Sequence, residues 1–408
     1  MKTRFFDRFI PFIQPEFFYW VGISFFSTFF LLTGQAEEPK EPKRLFIGTY
    51  TGENGSQGIY TCQFDSIKGV FTKPELAAKC EHPSFLAIHP SRPLLYAVLE
   101  ERSQSALYVF TYQKSTGKLT LLDEKEIPGR SSCHLCLCRT QDSDSDSEFP
   151  AESVVVANYT SGNIVSFPIL ADGKIGNLAT NYQHTGSGVN SVRQKTPHPH
   201  AVYFDAESKT IAVPDLGIDR VLYYDIDTKT AKLTPKPIPK PTPKENQLSL
   251  VLPSGGGPRH LAVSKDKRFT YVNNELSSTV CVFEMGGRTL IQEISTLPEG
   301  VIVSNNSTAE IEISSSGRFL YVSNRGDDSI AVFSVEPQNG WISRIQNISS
   351  GGKHPRFFAL DPTGCFLLSC NMETNNIEVL GVHPETGILT PTQSRINIFR
   401  PVCIVFAP

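Results

Sequence analysis

The chain has no surplus of basic charge. Across 408 residues, 38 Lys and Arg face 41 Asp and Glu, for a formal net charge of −3. That balance cannot neutralise a phosphate backbone, so nucleic acid is excluded as a partner class. After residue 44 there is no amphipathic helix pattern, which excludes bundles and doubly wound folds. No nucleophile elbow, P-loop, dinucleotide fingerprint or metalloprotease motif occurs. The nine cysteines supply no paired metal set either. Cys133-His134-Leu135-Cys136-Leu137-Cys138 starts like one, but Cys136 and Cys138 alternate within a strand-like run and no second cluster completes a zinc site. No metal and no cofactor is expected. Cys136, Cys281, Cys365, Cys370 and Cys403 sit in apolar runs and read as small core residues. An odd count leaves at least one thiol unpaired within the chain.

One long apolar run is present, at the N-terminus. Lys2, Arg4 and Arg8 precede the stretch Phe17 to Leu32, and Gly34-Gln35-Ala36 follows it. This reads as a secretory signal peptide over 1–36, then a Glu/Pro/Lys-rich linker over 37–44. The run is short for a span. The expectation is an exported protein, periplasmic or extracellular, with no stable membrane span after removal. If the segment is retained, the same domain is membrane-anchored.

The rest of the chain is organised by a repeat. Phe85 opens FLAIHPSRPLLYAVLEE, and His260 opens HLAVSKDKRFTYVNNEL. Glu310 opens EIEISSSGRFLYVSNRG, and Phe357 opens FFALDPTGCFLLSCNME. HAVYFDAESKTIAVPDLG from His200 fits with one extra residue. HLCLCRT from His134 fits with an insert in its turn. Each unit is a strand, a tight turn and a second strand ending in a polar cluster, followed by a third and a less regular fourth strand. Four short antiparallel strands per unit describe a propeller blade. Six units are complete. The seventh joins the C-terminal PVCIVFAP to the N-terminal RLFIGTYTGENGSQGIYTCQFD. The expectation is an all-β fold: one seven-bladed β-propeller over 45–408, closed by pairing N- and C-terminal strands so that no sheet edge stays open. The acidic run 141–149 and the Pro/Lys run 235–244 read as solvated loops.

The repeat also groups side chains. In a blade the first strand lines the central channel and its neighbour runs antiparallel, so the start of one and the end of the next share a face. The first-strand start holds Phe85, His134, His200, His260, Glu310 and Phe357, preceded by Cys133, Arg259 and Arg356. Glu100, Glu275, Arg325 and Met372 lie at the second-strand end, with Tyr159 and Asp215 nearby. Any single one of these could be a packing histidine or an arginine bridging blades. Several together at one channel end suit an anionic ligand held by guanidinium contacts.

The motifs HPHAVYFDAESK, GGGPRHLAVSKDKRFTYVNNEL, AEIEISSSGRFLYVSNRG and HPRFFALDPTGCFLLSCNME resemble the bacterial 6-phosphogluconolactonase/carboxymuconate-cyclase family. The resemblance is most specific over 198–376. It implies a seven-bladed propeller and hydrolysis of a sugar lactone, with lactone formation as the cycloisomerase alternative. It implies catalytic roles for His200, Arg259, Glu275 and Arg325, with His200 or Glu275 as the general base. It places His198 beside His200 in the pocket, and the repeat positions add His134, His260, Arg356 and Glu100 as expected substrate contacts. The implied partner is a small anionic or sugar lactone. An export signal would keep the protein from the cytosolic metabolite 6-phosphogluconolactone and favours an extracytoplasmic sugar lactone. Two rivals are a non-catalytic binding propeller and a calcium-dependent lactonase. The arginines around Glu275 would repel the ion of the second.

Overall fold

The computed structural model describes residues 42–101, 103–139, 152–236, 249–286 and 288–408. The N-terminal segment read as a signal peptide, the acidic run and most of the Pro/Lys run lie outside them. Among the described residues there is no helix, and none long and apolar enough to cross a membrane.

Seven antiparallel sheets form the propeller. The first strands of six blades are Pro83–Ile88, Ser132–Arg139, Tyr203–Asp205, Pro258–Val263, Ser307–Ile313 and Pro355–Leu360. Each is followed in order by its second, third and fourth strands. The seventh sheet closes the ring. Its innermost strand is the C-terminal Pro401–Phe406, paired antiparallel to Lys43–Thr49, which pairs in turn with Gly58–Asp65. The expected seam is therefore present. Deleting residues 401–408 should expose the edge of Lys43–Thr49 and leave holes in the core where Ile404 and Cys403 are buried. The expected outcome is loss of a single cooperative melt by circular dichroism. A truncated chain that melts like the full one would show the seam to be dispensable.

Local chemistry explains the repeat. The first turn of four units places one residue in the left-handed region, at a fixed place. Gly317 and Gly364 supply it at φ 74° and 73°. Lys209 and Lys267 occupy the equivalent place at 50° and 59°, at some steric cost. Second strands are β-branched and aromatic, so they pack on both faces. Tyr96, Val98, Val154 and Val156 interleave between two neighbouring blades, and Tyr271, Val282, Val322 and Phe333 between two others. Each such fully buried side chain contributes about 1.5–3 kcal/mol.

One histidine does bridge blades as a packing residue. His184 Nδ1 lies 2.6 Å from Asp215 Oδ2, and its Nε2 lies 2.9 Å from the Tyr224 hydroxyl. Asp215 also accepts the His198 backbone N–H at 2.7 Å, which sets where the chain re-enters the channel mouth. All nine cysteines are free thiols. Cys281, Cys370 and Cys403 are core residues as expected, whereas Cys365 is exposed and Cys136 half-buried. The correction for Cys365 has a simple cause: it sits in the DPTGCF turn, one residue before the strand begins.

Candidate active site

Three imidazoles meet at the centre of the channel. The His260 ring lies 5.3 Å from both the His134 and the His200 ring. Phe85 packs on His134 at 4.0 Å and Tyr203 at 5.3 Å. All three histidines are buried. Burial and the neighbouring positive charges hold each well below the usual imidazole range, so the rings are neutral. Cys133 lies beside His200, its Sγ 3.3 Å from the His200 carbonyl. Burial pushes that thiol up to about 12, which disfavours the thiolate form.

Glu275 sits among three guanidiniums. Arg325 Nη2 lies 3.0 Å from Glu275 Oε2, Arg259 Nε 3.2 Å from the same oxygen, and Arg193 Nη2 2.6 Å from Oε1. Arg259 and Arg325 are fixed further by donating to the carbonyls of Ala309 and Thr308 at 2.5 and 2.7 Å. Burial alone would raise the Glu275 carboxyl. Arg325, Arg259 and Arg193 together hold it well below the usual carboxylate range.

A second pairing lies across the mouth. Tyr50 donates to Glu100 Oε2 at 2.7 Å, and Arg356 Nη2 lies 3.6 Å from that oxygen. The Arg356 and Arg400 guanidiniums each lie 5.3 Å over the Tyr50 ring, in cation–π range. His198 stacks on Tyr159 at 4.5 Å, and the Tyr159 hydroxyl accepts from Arg193 at 2.9 Å.

In sum, Arg193, Arg259, Arg325 and Arg356 converge on two carboxylates, Glu275 and Glu100. The guanidiniums press on one another. Burial, then Arg325 and Arg356, bring Arg259 down to about 10. Arg325 Nε has no hydrogen-bond partner among the described residues. The cluster holds surplus positive charge and an unused donor, which a bound anion or a developing oxyanion would satisfy.

The profile described as lactonase, seven-bladed β-propeller, matches residues 44–406. The chain belongs to this lactonase family. A 6-phosphogluconolactonase of Bacillus subtilis (strain 168) is 34% identical over 365 residues, covering 88% of this chain and 97% of that protein. A 6-phosphogluconolactonase of Formosa agariphila is 29% identical over 351 residues, covering 85% and 94%. The solved periplasmic gluconolactonase of Pseudomonas aeruginosa superposes with a TM-score of 0.79 at 28% identity, covering 90% of this chain and 99% of that one.

Of the residues named from sequence, His134, His198, His200, Arg259, His260, Glu275 and Arg325 are linked through ring contacts and ion pairs with Tyr159 and Arg193, and the Arg356–Glu100 pair lies near enough for Arg356 to act on the charge of Arg259. The general-base expectation for Glu275 meets an ion-paired carboxylate. A carboxylate gripped by three guanidiniums is a weak base, and its geometry is that of a clamp orienting Arg259 and Arg325. Three further residues were not expected. Arg193 reaches Glu275 from residues 184–199, which have no counterpart in the other units, so the repeat carries no signal for it. Tyr50 arrives only through ring closure. His354 lies two residues before Arg356, and burial, then Arg325 and Arg356, hold it at about 4. It is the first residue of the H-P-R triplet, and that was the available signal.

Proposed function

We propose that this lactonase hydrolyses the lactone of a sugar acid, in the manner of 6-phosphogluconolactonase, through attack of water on the ring ester. The observation that carries the reading is the cluster of four guanidiniums paired directly with two carboxylates, Glu275 and Glu100. Depth divides its roles. Arg259 and Arg325 have side chains 3% and 9% exposed, Arg356 16% and Arg193 41%. The two deep arginines suit the oxyanion of the tetrahedral intermediate, and the shallower pair an acidic substituent at the far end of the substrate. The neutral imidazoles below supply proton transfer.

The lactone's phosphorylation is a separate question with its own support. Two relatives are named for the phosphorylated substrate and the P. aeruginosa one as a periplasmic gluconolactonase. We favour an unphosphorylated or carboxylated sugar lactone met outside the cytoplasm, because residues 1–36 read as an export signal. The test is a panel of sugar δ-lactones, phosphorylated and not, with the full chain, with and without EDTA. The expected result is turnover at least about 10³-fold above the uncatalysed rate, unaffected by EDTA. No turnover of any lactone would replace this reading with a binding propeller, and EDTA sensitivity would favour a metal-dependent one.

A further inference from the structure

We propose that the base which activates water is His260, set and charged by Glu310, and that Glu310 is the positioning residue of this dyad. The inference rests on the lactonase reading and assigns the one step that the arginines cannot perform.

The three central histidines look alike until the other nitrogen of each ring is followed. His134 Nδ1 accepts the backbone N–H of Val202 at 3.4 Å. Its proton therefore sits on Nε2, and the ring presents a donor to the channel. His200 Nδ1 has only the Cys133 sulfur beside it, at 3.9 Å. His260 Nδ1 alone meets a carboxylate, Glu310 Oε1, at 2.9 Å. With Glu310 ionised, Nδ1 donates to it and the lone pair is left on Nε2. No described residue bonds that Nε2.

The carboxylate is itself held in place. Ile311 N–H donates to Glu310 Oε1 at 3.0 Å, and the Glu310 N–H donates to Ser323 Oγ at 2.9 Å. Glu310 Oε2 is buried with no hydrogen-bond partner. A buried carboxylate oxygen left unpaired is costly and calls for a reason. Storing charge for a transient imidazolium supplies one.

The step balances as follows. Water oxygen bonds the lactone carbonyl carbon while its proton passes to His260 Nε2. Glu310 stabilises the imidazolium, and Arg259 and Arg325 stabilise the oxyanion. The intermediate then collapses by breaking the ring C–O bond, and the leaving oxygen takes the proton back from Nε2. The product is a hydroxy acid, whose carboxyl proton goes to solvent. Positive charge on His260 appears only as negative charge appears on the substrate, so the arginines do not oppose it.

Burial pushes the Glu310 carboxyl up to about 8, with Arg259 and Arg356 pulling the other way. The other groups facing it are Cys370 on the next blade, Tyr203 and Cys403 on blades further round the ring, and Glu312 on its own strand. Below its transition Glu310 carries a proton, donates it to Nδ1, and leaves Nε2 protonated and useless as a base. Activity should therefore rise with pH toward that value and level off above it.

The experiment compares the pH dependence of kcat and KM for wild type, Glu310→Gln and Glu310→Asp. Glu310→Gln should lower kcat about 10²–10³-fold with KM within threefold and should abolish the rise, and Glu310→Asp should restore part of both. A Glu310→Gln enzyme with kcat within threefold of wild type and the same profile overturns the dyad. A second readout does not need turnover. In protein carrying ¹⁵N-histidine, one ring, identified by its loss in His260→Gln, should change tautomer between pH 6 and 9 in wild type and stay fixed in Glu310→Gln. A ring that ignores pH and the substitution overturns the assignment. If the ring responds while no lactone is turned over, the substrate reading has failed and the dyad stands.

Discussion

Arg259→Ala should reduce kcat/KM on the best lactone of the panel by about 10²–10³-fold, with kcat carrying most of the loss. That is the usual cost of removing one preorganised oxyanion donor. The guanidinium is buried, anchored on the Ala309 carbonyl, and held against Glu275 at 3.2 Å. It cannot swing away from the charge it stabilises, so no reorganisation is needed at the moment of reaction. The variant should also fold. Deleting Arg259 takes away one positive charge from a cluster in surplus, and Glu275 keeps Arg325 and Arg193. Steady-state kinetics with a melt on the same sample makes the check. A variant that binds weakly at unchanged kcat would show that Arg259 serves ground-state binding instead.

The opposite substitution should damage the fold. In Glu275→Gln the arginines stay and their counter-charge goes. Breaking a buried ion pair from one side costs about 3–5 kcal/mol, because it leaves charge buried and uncompensated. We expect the melting temperature to fall by several degrees and turnover with it, since Arg259 and Arg325 lose the carboxylate that aims them. The pH dependence has a definite sign. The folded-state carboxyl of Glu275 lies below its unfolded value of about 4.3. Its stabilisation is fully present above that unfolded value and is lost as pH falls further, toward the folded one. Wild type should therefore lose stability on acidification below about pH 4 more steeply than Glu275→Gln. Parallel acid curves for the two proteins would show that Glu275 does not hold the cluster.

The fold was legible because it is written several times over. Six units carry the same strand, turn and strand, and the turn repeats a left-handed residue at Gly317, Gly364, Lys209 and Lys267. Even the seam between Pro401–Phe406 and Lys43–Thr49 followed from two half-units with nothing else to pair with. The grouping of His200, His260, Arg259, Glu275 and Arg325 was legible for the same reason. A blade places the start of its first strand and the end of its second on one face.

Single side chains that escape the repeat were not legible. Arg193 comes from residues 184–199, which no other unit shares, and Tyr50 from the far side of the ring. The full ion pairing of Glu275 was not legible because two of its three partners lie 50 residues ahead and 82 behind in the chain. A carboxylate that looks like a base in the motif NNEL becomes a clamp once three guanidiniums reach it. His260 and Glu310 show the converse. Both stand at first-strand starts in equivalent places of successive blades, yet only the 2.9 Å approach of Nδ1 to Oε1 distinguishes His260 from His134 and His200.

What the sequence by itself determined was the architecture and the address of the site. Periodicity is a local property, repeated often enough to be read from spacing alone. What only the tertiary structure decided was the protonation and pairing inside that address. Those depend on distances of a few ångströms between residues brought together by ring closure, and on burial that no linear pattern records.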